Sequence, residues 1–115
     1  MIKRVLVFFV FMCSIVFYGQ DYDNKTINNK QTISQVSAFP NPFNDESQII
    51  FYSKNAQSIL FEVKNILGRS VYKKEILSIS GKNEIQFLKD KLASGMYIYS
   101  IQTNTETISK RLVIK

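Results

Sequence analysis

The chain has 115 residues, 45% of them hydrophobic and 21% charged, which fits a single folded domain and argues against wholesale disorder. It contains no histidine and one cysteine, Cys13, so disulfides, Cys/His zinc sites and thiol or imidazole catalysis are excluded from everything beyond that residue. The net charge of +6 comes from Lys and Arg scattered among Asp and Glu rather than gathered in a stripe, which argues against a nucleic-acid partner.

Lys3 and Arg4 precede an apolar run from Val5 to Tyr18, broken only by Ser14 and ending at Gly19. A basic start followed by such a run predicts a secretory signal peptide over residues 1–20, cleaved after Gly19 or Gln20. The run is short for a membrane span of about 20 residues. Phe17 stands where a small residue is preferred before a cleavage site, so an uncleaved membrane anchor is the alternative. Cys13 lacks the small residues that precede a lipid-bearing cysteine and reads as part of the apolar run. Without Lys3 and Arg4, the 15 basic residues fall to 13 against 9 acidic ones, a net charge of +4.

From Asp21 the composition turns to Asp, Asn, Lys, Gln, Thr and Ser, too polar to offset the entropy of ordering. A flexible linker is expected over residues 21–35, with the folded domain over 36–115. Within the domain, short apolar runs alternate with turn residues about every ten positions, as in an antiparallel sandwich or barrel. Phe39-Pro40-Asn41-Pro42-Phe43-Asn44 reads as a stiff lead-in clamped between aromatic side chains.

Strands follow at Ser47–Tyr52 and Ser58–Lys64, the second with Ile59, Phe61 and Val63 on one face. Asn65 to Arg69 supplies a turn in which Gly68 is available for positive φ. Further strands are expected at Ser70–Leu77, at Asn83–Leu88 after the Ser80-Gly81 turn, at Met96–Thr103 opened by Gly95, and at Thr107–Lys115. A single helical turn is expected near Lys91–Ala93. Ile85 and Phe87 share one inward face, and Tyr97, Tyr99 and Ile101 another. The fold class is therefore all-β, a small antiparallel sandwich. Lys110 falls in phase with Ile108, Leu112 and Ile114, which requires either a bulge or an edge strand from which the lysine snorkels outward. Such a strand is a candidate handle for another protein.

In order along the chain, Phe39-Pro40-Asn41-Pro42-Phe43-Asn44-Asp45, Ile49-Ile50-Phe51, Val63 to Arg69, Leu92 to Tyr97 and Lys110 to Lys115 resemble the successive motifs of type IX secretion C-terminal sorting domains of Bacteroidetes. The resemblance covers about Val36 to Lys115. It implies a seven-stranded immunoglobulin-like sandwich recognised by an outer-membrane translocon, with a sortase-like cysteine protease as second partner, and no cofactor. By position it implies that Gly95, Tyr97, Lys110, Arg111, Val113 and Lys115 belong to the sorting motifs, while Pro40, Asn41, Pro42 and Gly68 define the fold. Export to the periplasm, then secretion or surface display, is the expected route. Such domains follow a larger secreted protein; here only a short polar segment precedes, which implies a truncated gene, a separately encoded module or a very small cargo.

From the residues alone, a secreted carbohydrate- or protein-binding sandwich competes, with Tyr72, Tyr97 or Tyr99 as stacking platforms. An enzyme would have to use Asp45 with Glu46 or Glu84 with Asp90, which read better as solvated turn residues. The same Asn44-Asp45-Glu46 turn lacks the spaced oxygen ligands of a calcium site.

Overall fold

The computed structural model describes residues 31–115. The expected signal peptide, its cleavage point and the polar segment up to Lys30 lie outside the described residues. Seven strands form: β1 (Ile33–Phe39), β2 (Glu46–Ser53), β3 (Ser58–Asn65), β4 (Ser70–Leu77), β5 (Gly81–Leu88), β6 (Gly95–Gln102) and β7 (Thr107–Ile114). They make a three-stranded sheet in the order β1-β2-β5 and a four-stranded sheet in the order β4-β3-β6-β7. Every ladder is antiparallel.

The alternation that predicts these strands also builds the core. Ile59, Phe61 and Val63 of β3 are fully buried, as are Ile49 and Phe51 of β2, and Tyr99 and Ile101 of β6 lie beside them. Phe87 sits at the centre of an aromatic cluster, with ring centroids 6.1 Å from Phe43, 6.1 Å from Phe61 and 5.3 Å from Tyr72, all edge to face. Burying each such side chain stabilises the sandwich by about 1.5–3 kcal/mol.

Strand β1 begins at Ile33 rather than at Val36, so residues placed by composition in the linker belong to the sheet. Both Ile33 and Val36 are buried, although their odd spacing would put them on opposite faces of a regular strand. A register shift between Ser34 and Ser37, with Gln35 at φ 52°, inserts the extra residue that turns both inward. Glu106, in the turn between β6 and β7, holds the strand's start: its Oε1 accepts from Thr32 N–H (2.8 Å), Thr32 Oγ1 (2.6 Å) and Ile33 N–H (2.8 Å).

The lead-in is clamped at one end only. Phe43 is buried while Phe39 is three-quarters exposed, because Phe39 falls on the outer face of β1. The Phe39-Pro40 and Asn41-Pro42 peptide bonds are both cis. Pro40 C=O accepts from the buried Ser47 hydroxyl at 2.8 Å, tying the lead-in to β2. No helical turn forms near Lys91–Ala93; Asp90 takes φ 48° and Leu92 N–H bonds Lys89 C=O at 2.9 Å, which closes a tight turn instead.

Candidate recognition site

Strand β7 lies at the edge of the four-stranded sheet, and its eight partners on β6 run without a register shift from Gly95↔Ile114 to Gln102↔Thr107. This continuity rules out a bulge in the β6–β7 ladder as the explanation for Lys110. The lysine is exposed and snorkels: its Nζ donates to Val36 C=O, the carbonyl left over by the bulge in β1. Lys110 thus bridges the edges of the two sheets where no ladder joins them.

The same register gathers the residues carried over from the sorting motifs. Gly95 opposes Ile114, Met96 opposes Val113, Tyr97 opposes Leu112 and Ile98 opposes Arg111, so two segments distant in sequence form one end of one sheet. Gly95 takes φ 147°, and a Cβ built there meets nothing within 4 Å, so the position requires glycine for its backbone angle and not for close approach. Tyr97 is buried, with its hydroxyl donating to Ala93 C=O at 2.7 Å; it fastens the turn before β6 and offers no surface.

The outer edge of β7 is covered over its final residues. Asn41 Nδ2 donates to Arg111 C=O at 3.0 Å, and Asn41 Oδ1 accepts from Val113 N–H at 2.9 Å. Phe43 N–H bonds Val113 C=O at 3.0 Å and Lys115 N–H bonds Phe43 C=O at 2.9 Å, a short parallel bridge. Ser94 Oγ donates to Lys115 O at 2.7 Å. The Arg111 and Lys115 side chains are exposed, and Val113 is half-buried. Among the described residues, the ion pairs are Lys64–Glu62, Lys73–Glu62 and Lys82–Glu84, so no carboxylate neutralises Lys110, Arg111 or Lys115.

Of the fold-defining group, Asn41 reaches the site directly, while Pro40 and Pro42 are exposed in the segment that carries it there. Gly68 belongs to the β3–β4 turn, where φ 84° and its N–H bond to Asn65 C=O (3.0 Å) close the hairpin away from β7. Of the three tyrosines that suggested sugar stacking, two are packed inside. Tyr97 and Tyr99 are buried, while Tyr72 is half-buried and meets Phe61 and Phe87 edge to face. Burial pushes the Tyr99 phenol above its ordinary range. Asp45, Glu46, Glu84 and Asp90 are exposed, and no group of three metal-ligating side chains occurs among the described residues.

Seven antiparallel strands in two facing sheets define a small all-β sandwich of immunoglobulin-like kind. The family model described as the secretion system C-terminal sorting domain matches residues 37–115, and the chain belongs to that family. The domain is accordingly a type IX secretion sorting signal, which implies export and secretion or a cell-surface location. Among solved structures, dimeric latent PorU from Porphyromonas gingivalis is similar, with a TM-score of 0.57 at 18% identity. The similarity covers 69% of this chain but only 9% of PorU, and at that identity it shows the fold alone. A comparison with curated proteins found no match.

Proposed function

We propose that this sandwich is a non-catalytic export address read by the type IX outer-membrane translocon, with the β6–β7 end as the surface that is read. The reading rests on one observation above others: the Gly95–Tyr97 and Lys110–Lys115 segments, separate in sequence, pair in register at one sheet end, where the cations of β7 make no ion pair among the described residues. Tyr97 and Gly95 shape that end from within, and Arg111, Val113 and Lys115 face outward. Lys110 contributes its charge while bridging to β1.

In this reading residues 1–20 direct the chain to the periplasm and are removed, residues 21 to about 30 form a polar spacer, and a sortase-like cysteine protease handles the domain after translocation. The test is to express the full chain in a host with the type IX apparatus and in the same host lacking the translocon, and to detect it by antibody in cells, on surfaces and in medium. Release or surface display in the first strain and retention in the second is expected. Equal appearance outside both strains would overturn the reading.

A further inference from the structure

Antiparallel ladders point the N–H and C=O of alternate residues to opposite sides of a strand. The bonds from Val113 to Asn41 and Phe43 show that odd-numbered residues of β7 face away from β6. Ser109 and Thr107 therefore direct their backbone groups outward, as does the N–H of Arg111. Among the described residues no hydrogen bond satisfies the Ser109 N–H, the Arg111 N–H or the Ser109 C=O on that side. Among the described residues, cover by Asn41 and Phe43 stops at Arg111 and leaves residues 107–111 as an open strip next to a covered one.

The strip differs from the other free edges. The ladder of β1 is bulged at Ser34/Ser37 and that of β4 is shifted at Val63/Lys64, both of which discourage a further strand. Strand β5 is regular, but its charges are internally balanced by the 3.3 Å Lys82–Glu84 pair. Strand β7 is regular over all eight pairs, and its cations make no ion pair among the described residues. Beside it runs an open groove of about 650 Å³, walled by Val36, Ser37 and Ala38 on one side and Ser109, Lys110 and Arg111 on the other.

We infer that residues Thr107–Arg111 of β7 accept an extended acidic segment of a partner protein, which adds as a strand to the four-stranded sheet and sets carboxylates against Lys110 and Arg111. Main-chain hydrogen bonds would supply the affinity and the two cations the preference for acidic sequence. The inference rests on the proposed translocon reading and specifies how the partner is held.

Proline at 109 separates this mode from general damage, because the Ser109 N–H points away from β6 and its loss removes no bond of the fold. The experiment measures binding of the full chain to purified, detergent-solubilised type IX translocon for wild type and Ser109→Pro, with thermal unfolding of each. Expected is an unchanged midpoint, at least about tenfold weaker binding for Ser109→Pro, and slowed amide exchange of Ser109 and Arg111 in the wild-type complex. Wild-type binding with unslowed Ser109 and Arg111 amides overturns the strand addition while leaving the translocon reading intact, whether or not Ser109→Pro folds. Binding by folded Ser109→Pro at the wild-type level overturns the strand addition in the same way. Absence of wild-type binding overturns both.

Discussion

Asn41 is exposed, yet both ends of its carboxamide are committed to β7, the NH2 to Arg111 C=O and the oxygen to Val113 N–H. A carboxamide offers one donor and one acceptor side by side, as a peptide unit does, so it substitutes for the next strand at this point. Asn41→Ala is expected to lower stability by about 1–2 kcal/mol in urea unfolding, and Asn41→Asp by less, since the acceptor survives. Tyr99 carries a different kind of information. Burial raises its phenol pKa, so the folded state holds the proton more tightly than the unfolded state does. That contribution is fully present below the unfolded value of about 10 and is lost as pH rises through the folded value. Stability should therefore decline above about pH 10, and Tyr99→Phe should flatten the decline in a pH series of urea midpoints.

At the scale of elements, β1 is the strand that composition hides. Its start, Gln31-Thr32-Ile33-Ser34-Gln35, is as polar as the segment before it, and the bulge at Gln35 breaks the alternation that would betray Ile33 and Val36 as core residues. Ile33→Ala is expected to cost about 2–4 kcal/mol, measured by urea unfolding, because it opens a cavity at a fully buried position. Glu106→Ala should also destabilise, by about 1–3 kcal/mol, through the loss of the acceptor for three donors, whereas Glu106→Gln keeps an acceptor oxygen and should cost less. The strands bounded by turn residues are legible in the sequence: β4 runs over Ser70–Leu77 as expected, and β3, whose Ile59, Phe61 and Val63 share the buried face, ends one residue beyond Lys64. What is not legible is long-range and made by single side chains. Nothing local marks Asn41 as a partner of Arg111, Glu106 as the anchor of Thr32, or Lys110 as a bridge to Val36, because each joins residues about seventy positions apart. The order of the motifs points to the family and to the residues of the site, but only the register of β6 on β7 shows that those residues share one end of a sheet.

For the molecule as a whole, the core and the proposed recognition surface use different atoms of the same strand. Leu112 and Ile114 of β7 are buried against the opposite sheet, while Arg111 and Lys115 project from it and make no ion pair among the described residues. Fold and recognition should then be separable by mutation. Exposed charges contribute little to stability, so Arg111→Glu with Lys115→Glu should shift the thermal midpoint by only the equivalent of about 0–1 kcal/mol. Lys110 is left in place because its bond to Val36 C=O would mix a structural effect into the result. If an acidic partner reads this end, reversing two of its cations replaces attraction with repulsion, and export of the full chain should fall well below wild type while the protein stays folded. Amounts of the full chain in medium and cells, paired with the midpoint of the purified variant, make the measurement. Export at the wild-type level by a folded double variant would show that these charges are not read.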